Sequence, residues 1–515
     1  MEDKKMKKTI INVICAICVV GVFASCTLER EDYTEISPET FPQTETDLEL
    51  AVNQLYVNFA AGGWGTNTIF AADNSGYQTF SDMGTDLLWC CWEWEWDKQY
   101  YHQGWNPVDS PLPVWNHFTH YQFLSKARNT IRRIEASSAP ESAKRLYAAE
   151  VHALRGWMAL YLYDLFGPVP VASDEVLDQP EEFVYLPRLT DEEYDEMMEN
   201  DLRTAIAVLP EKRDASELGR VTKGAAMMML LKYYMIRGKF QQAETMAREL
   251  MAMEGGIYNL QPDYNRIFTI EGEGNDEIIL QVPCTSTATW LANHVTAECL
   301  PGDMPWTDKG KGWGGYVIPW DYYDTFDPSD VRRQNIVTSY VSSDDGQVYS
   351  RENPKAGTTQ LKKGALPLKY GKDPDMTAEH SGVDIVVYRF SDVLLTVAEC
   401  IVRNGGSVTG EAVNLVNRVR NRAGLPNLDD SQTASKDAFL EALLEERGHE
   451  FWLEGLRRQD LIRFGKYVEY ANKRIEVANA NGANYYPATE AQNRFWIPQS
   501  FIDESKSAIK QNPGY

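Results

Sequence analysis

Thr222–Met253 reads TKGAAMMMLLKYYMIRGKFQQAETMARELMAM, and its periodicity decides the architecture. Leu230, Leu231 and Tyr234 recur at helical spacing in the first half. A Gly238-x-Phe240-x-x-Ala243 turn follows, and Ala247 and Leu250 continue the apolar face. Small alanines at these positions let two antiparallel helices approach closely. The same logic returns at Ser391–Ala423, with Ala398 and Glu399 before Asn404-Gly405-Gly406 and Ala412, Val416 and Val419 after it. Further upstream, Trp115, Phe118, Tyr121, Leu124, Ala127 and Ile131 mark one helix over Val114–Ile134. Another runs from about Ala143 to Phe166 and stops at the breaker pair Gly167-Pro168. These two helices are expected to form a third pair.

The turn and packing positions match those of a tetratricopeptide repeat. The chain therefore reads as mostly α-helical, a scaffold of stacked helical hairpins with a few short strands. Tyr264 to His380 differs: it is loop-rich, with short strand-like runs such as Glu277–Val282, and its ring content argues against disorder. The expected division is a single domain over 46–515. In it the helical scaffold spans about 46–260 and 385–515, and the loop-rich insertion about 261–384.

The N-terminus carries a different signal. Lys4, Lys5, Lys7 and Lys8 precede an apolar run from Ile10 to Phe23, too short to span a bilayer as a helix and suited to a signal peptide over 1–25. Cys15 and Cys18 follow bulky isoleucines, whereas Cys26 follows Ala24-Ser25. Phe23-Ala24-Ser25-Cys26 resembles a bacterial lipobox, which implies acylation of Cys26 and a lipidated tether over 26–45. Glu29, Glu31 and Asp32 behind it resemble the acidic surface-export tether of some Gram-negative lipoproteins. The formal charge of −25 becomes −27 once four lysines and two acids leave with residues 1–25, so phosphate backbones are repelled and nucleic acid is excluded as a natural partner. Cys90, Cys91, Cys284, Cys299 and Cys400 remain, an odd set without repeated spacing and so neither a disulfide framework nor a zinc site. A bridge between Cys284 and Cys299 stays open.

Several stretches together resemble the SusD/RagB family of surface nutrient-binding lipoproteins, over nearly the whole chain. They begin with Ala149-Glu150-x-x-Ala153-Leu154-Arg155-x-Trp157 and the exit turn Leu165-Phe166-Gly167-Pro168-Val169-Pro170. Arg389-x-Ser391-Asp392-Val393-Leu394-Leu395 and Val416-Asn417-x-Val419-Arg420-x-Arg422-Ala423-Gly424 follow. The strongest runs Glu446-Arg447-x-x-Glu450-Phe451-x-x-Glu454-Gly455-x-Arg457-Arg458-x-Asp460-Leu461-x-Arg463-Phe464-Gly465, with Ile497-Pro498 and Gln511–Tyr515 completing the set. Glu446, Glu450 and Glu454 fall four apart on one expected helix stripe, with Arg447, Arg457 and Arg458 placed to bridge neighbours. Exposed pairs are worth only about 0.3–0.5 kcal/mol each, so a buried, hydrogen-bonded network is the reading that explains so many charges.

The remaining motifs are weak. His449-Glu450 begins a zincin-like pattern, but Leu453 stands where the second histidine is required. Gly310-x-Gly312-x-x-Gly315 matches the dinucleotide fingerprint, yet no strand precedes it and Pro319 closes what should become a helix. His117 and His120 share a helix face without an evident third ligand, so no metal and no cofactor is implied.

Of 14 Trp and 27 Tyr, the densest cluster lies at Trp89–Trp105. In Trp92-Glu93-Trp94-Glu95-Trp96-Asp97 an extended chain puts rings on one side and carboxylates on the other, whereas a helix would align Trp89, Trp92 and Trp96. Tyr100, Tyr101, Trp105 and Asn106 follow. Ring faces stack on sugar C–H faces, and carboxylates and amides meet hydroxyl groups. The resemblance implies a ligand site drawn from this region and from the insertion, which offers Trp290, Trp306, Trp313, Tyr316, Trp320 and Tyr322. The candidate binding residues are Trp89, Trp92, Trp94, Trp96, Trp105, Asn106, Trp306, Trp313 and Trp320.

The resemblance further implies capture of a nutrient, an oligosaccharide or in the RagB branch a peptide. It also implies delivery to a SusC-like TonB-dependent outer-membrane transporter, from a lipid-anchored position facing the cell exterior. A glycoside hydrolase using Glu93, Glu95 or Asp97 is the rival reading, but these acids alternate too closely to form an opposed pair.

Overall fold

A capping box starts the first described helix, α1 (Glu45–Tyr56). The Thr44 hydroxyl accepts the Asp47 N–H, and the Asp47 carboxylate accepts that of Thr44. The structure, a computed structural model, describes residues 41–63, 65–72, 76–92, 94, 100, 112–179 and 181–515. Thr44–Tyr515 form one compact unit. The signal peptide expected over 1–25 and Cys26 lie outside the described residues, and no described helix is long and apolar enough to cross a membrane.

After the short helix α2 (Tyr77–Met83), the helix expected over Val114–Ile134 is two, α3 (Leu112–Thr119) and α4 (Tyr121–Ala136). The break falls at His120, where both His117 and His120 turn inward onto the buried Tyr161 ring of α5 (Glu141–Phe166). Burial lowers the pKa of His117 well below its usual value and that of His120 to about 4, so both are neutral core rings. As expected, α4 packs against α5. Next come α6 (Asp191–Val208) and the hairpin α7 (Lys223–Ile236) and α8 (Phe240–Met251), followed after the insertion by the hairpin α9 (Phe390–Gly405) and α10 (Gly410–Arg422). Ala243, Ala247, Ala398 and Ala412 are fully buried where these helices meet, the role their small size predicts.

The exit turn after α5 is held by the C-terminus. Gly167 has φ +77, and the Phe166 carbonyl accepts N–H groups from Asn512 (3.1 Å) and Arg188 (2.7 Å). The Gln511 amide pairs with both backbone polar groups of Ile497 (2.7 and 2.8 Å). The two distant motifs are thus one joint.

The insertion folds around a four-stranded antiparallel sheet. Its strands are β1 (Trp89–Cys90), β3 (Tyr316–Pro319), β5 (Gly364–Pro367) and β4 (Ile336–Val337), adjacent in that order. Separately, β2 (Ile278–Val282) pairs antiparallel with β6 (Ile385–Arg389), which leads directly into α9. Cys284 and Cys299 are free thiols whose pKa values burial pushes up, which closes the question of a bridge between them.

Insertion and helices meet at a buried ion network. Helix α11 (Lys436–Glu450) ends at Glu450, so the expected three-glutamate stripe breaks before Glu454. Leu453 and Gly455 take positive φ (59° and 74°), and this turn carries Glu454 back to the same partners. Arg332 binds Asp330, Glu446 and Glu450 at 2.7–2.9 Å. Arg389 binds Glu277 and Glu454 at 2.9 Å and also Glu450. Arg422 bridges Glu277 and Glu450, Lys369 holds Glu454, and Arg420 holds Glu446. Five cations thus face five carboxylates, a net-neutral cluster. Burial alone would keep Glu450 protonated, but the Arg422, Arg389 and Arg332 guanidiniums outweigh it and hold its carboxyl well below the usual range. Removing one member strands a buried charge, which typically costs about 3–5 kcal/mol. Arg389→Met should therefore lower the unfolding free energy in denaturant titration by about that amount, and a loss below about 1 kcal/mol would show that the network is not cooperative.

Asp82 of α2 is the contrary case. It accepts N–H groups from Gly455 (3.1 Å) and Arg457 (3.3 Å) but has no cation in direct contact among the described residues, and burial raises its pKa to about 7. Its contribution to stability is present below the unfolded value of 3.8 and is lost as pH rises through about 7. Asp82→Asn cannot ionise, so from pH 5 to pH 8 its unfolding free energy should gain on wild type by on the order of 2 kcal/mol. A difference independent of pH would refute the assignment.

Candidate functional site

The ladder between β1 and β3 joins the two aromatic regions. Trp89 lies opposite Val317 and Cys90 opposite Tyr316, and the Cys91 N–H donates to the Gly315 carbonyl (2.5 Å). Just past β1, the Trp92 indole N–H donates to the Trp313 carbonyl (3.2 Å). The Trp92 ring stacks on Trp94 with centroids 5.2 Å apart and planes 26° apart, and leans on buried Tyr316 at 5.5 Å. Trp94 is 48% exposed, so the pair lies at the surface beside the sheet. The alternating arrangement of rings thus describes Trp92 and Trp94. Glu93, Glu95, Trp96, Asp97, Tyr101, Trp105 and Asn106 lie outside the described residues.

The glycine motif rejected as a nucleotide loop has a structural purpose here. Trp313, Gly314 and Gly315 donate N–H groups to the Ala297, Leu300 and Glu298 carbonyls (2.6, 2.9 and 2.6 Å), laying the loop against the short helix Val295–Cys299. A Cβ at Gly312 would strike the Leu300 carbonyl, and one at Gly315 would come within 2.5 Å of the Trp92 ring. Gly315 is therefore what lets Trp92 lie flat. Half-buried Trp313 stacks on His294 (5.9 Å, 29°), with His380 edge-on to that histidine at 5.3 Å. Burial and the neighbouring His380 lower the His294 pKa to about 4, so the ring is neutral. His294 carried no sequence signal, because its role comes from the loop that stacks Trp313 over it.

The other candidates separate. Trp320 is corrected: it is buried, its indole N–H donates to the Leu361 carbonyl (3.0 Å), and the Arg351 guanidinium lies over its ring at 4.6 Å. Tyr322 is buried as well. Half-buried Trp306 lies under Lys372, at 5.0 Å. Trp89 points into a different cleft beneath Lys363. Trp290 is 66% exposed, next to Thr289, whose methyl would lie 2.9 Å from a Cβ on Gly63. His449 is buried, bonded to the Thr325 hydroxyl (2.8 Å) and packed on Phe326 at 4.1 Å, which explains it as a core ring. Among the described residues no cluster of His, Cys, Asp and Glu could hold a metal ion.

Helical hairpins, a loop-rich insertion pinned to them by buried ions, and a partly exposed tryptophan pair define a mostly α-helical repeat scaffold with an aromatic loop face. The chain belongs to the SusD/RagB family: residues 306–515 match the SusD family, and residues 28–235 match a family described as "Starch-binding associating with outer membrane". A SusD-like protein of Bacteroides ovatus is 26% identical over 378 residues, 69% of this chain and 66% of that one. The starch-binding protein SusD of Bacteroides thetaiotaomicron is 24% identical over 484 residues, 83% of each chain. Among solved structures, surface glycan-binding protein A of Bacteroides thetaiotaomicron in complex with laminarihexaose superposes with a TM-score of 0.72 at 23% identity, covering 91% of this chain and 100% of that one. A SusD homolog from the same organism reaches 0.76 at 20% identity, covering 94% and 99%.

Gly315→Val should displace Trp92 and weaken the exciton signal of the stacked indoles in circular dichroism, as Trp92→Ala and Trp94→Ala abolish it. An unchanged signal in Gly315→Val would show that the glycine does not set the pair.

Proposed function

We propose that this protein captures an oligosaccharide on the face built from Trp92, Trp94 and Trp313, and passes it to a SusC-like TonB-dependent transporter while anchored to the outer membrane by lipid on Cys26. The observation that carries the reading is the stacked Trp92–Trp94 pair beside the β1–β3 ladder, with Trp94 about half exposed. Sugar rings present C–H faces that such a surface stacks against, and the backing sheet limits the ordering cost on binding. Relatives named as starch-binding and glycan-binding support a glycan over a peptide. The role needs binding without turnover, so the protein is not assigned an enzymatic step.

Truncating an anchor at a binding centre typically costs more than about 2 kcal/mol, roughly thirtyfold in affinity. A glycan and peptide array identifies the ligand, and calorimetric titration then compares wild type with Trp94→Ala. The expected result is at least a thirtyfold loss with an unchanged melt, since Trp94 is exposed. Peptide hits without glycan hits, or full glycan affinity in Trp94→Ala, would overturn the reading. The anchor has its own test: Cys26→Ala should release the protein from the outer-membrane fraction, and retention there with fatty acid attached would contradict acylation at that residue.

A further inference from the structure

A large cleft lies apart from the tryptophan platform. It has a volume of about 1060 Å³ and opens between α11, α13 (Tyr467–Ala480) and the outer side of β1 and β3. Between α11 and α13 runs α12 (Arg457–Arg463), whose Arg457 closes the base of the cleft through a two-pronged pair with Asp86 (2.7 and 2.9 Å). None of Trp92, Trp94, Trp313 and Tyr316 lines it, so it is a separate surface reached from the same strand ladder.

Its walls combine rings with balanced charge. Trp89 and Tyr470 supply aromatic surface, with the Lys363 and Lys473 ammonium groups each 5.0 Å over a ring. Beyond the Asp86–Arg457 pair, Asp321, Glu441 and Glu445 stand against Lys363, Lys473 and Arg474, three of each sign. His449 in the wall is neutral, because burial and nearby arginines hold its pKa well below the usual value. In a chain of net charge −25, the described residues that line this cleft carry four acids and four bases. A charged ligand gains nothing there from the local field. An uncharged polyhydroxyl ligand finds carboxylates to accept its hydroxyl protons, cations to donate to its oxygens, and rings for its C–H faces. The volume is that of a site for a ligand of several rings. Lys473 is paired with Glu469 at 2.9 Å with more than half its side chain exposed, a contact weak enough to exchange for a ligand hydroxyl.

We propose that this cleft is a second carbohydrate site, selective for uncharged oligosaccharides, through which one long glycan engages both sides of the β1–β3 ladder. The proposal rests on the glycan-binding reading above. Two linked weak contacts would then hold a chain more tightly than either alone.

Affinity electrophoresis tests it, with native gels containing laminarin, starch, mannan or xylan as uncharged probes and alginate or pectin as acidic ones. The variants are Asp321→Ala/Lys473→Ala, both exposed and so expected to melt as wild type, Trp94→Ala, and the triple combination. At least one uncharged polysaccharide should retard wild type, the cleft variant should weaken that retardation at least threefold, and the triple variant should lose more than either parent. If Trp94→Ala abolishes retardation while the cleft variant matches wild type on every uncharged polysaccharide, the second site is refuted and the platform stands. If only acidic polysaccharides retard wild type and the cleft variant relieves it, the assigned ligand class is wrong. If no polysaccharide retards wild type, both readings fail.

Discussion

Arg389 occupies the point on which the rest of the molecule depends. It ends β6, leads into α9, and donates to Glu277, Glu450 and Glu454, so one guanidinium ties the residue before β2 to the end of α11 and the turn beyond it. Around it the insertion contributes Glu277, Asp330, Arg332 and Lys369, the helices contribute Arg420, Arg422, Glu446 and Glu450, and the turn after α11 contributes Glu454. Such a cluster adds little net stability over an apolar core, because desolvating each ion offsets much of the attraction. Its effect is on geometry. Any displacement of the insertion relative to the helices strands a buried charge, so a loop-rich segment of more than a hundred residues is held in one position without a large sheet.

The platform inherits that rigidity. Lys369 and Arg332 fix the segments that flank β4 and β5, those strands fix β3, and β3 fixes the turn that leaves β1 toward Trp92. At the end of this chain a single missing side chain, at Gly315, gives the Trp92 ring its room, and Trp94 stacks on that ring. The aromatic face is therefore a surface property controlled from the core, and a ligand meets rings already in place.

The helices were legible in the sequence because their signal is local: period, small residues at close approaches, and glycine or proline at the ends. The same local signal misjudged two places where tertiary contacts override it. His120 breaks a helix whose apolar period continues through it, because two histidines turn onto Tyr161. Glu454 leaves the helical stripe because Leu453 and Gly455 take left-handed backbone. The buried charge network was readable in outline from the density of Glu and Arg, but Arg332, Asp330, Glu277 and Lys369 were not, since they lie on the insertion and join only in space. Ring placement was the least legible. Sequence offers no way to tell Trp320, which fills the core, from Trp94, which is about half exposed, because both sit among other rings and polar residues. Trp89 likewise turns away from Trp92 into the cleft.

A crystal structure of the protein with its bound oligosaccharide tests the central claim most directly. The account predicts a pyranose face lying on the Trp94 ring within about 4 Å, with Trp92 and Trp94 keeping their 5.2 Å centroid separation and the Arg389 contacts unchanged. A glycan bound with no sugar ring against Trp92, Trp94 or Trp313, or a platform that forms only after the insertion shifts and breaks the Arg389 contacts, would contradict it.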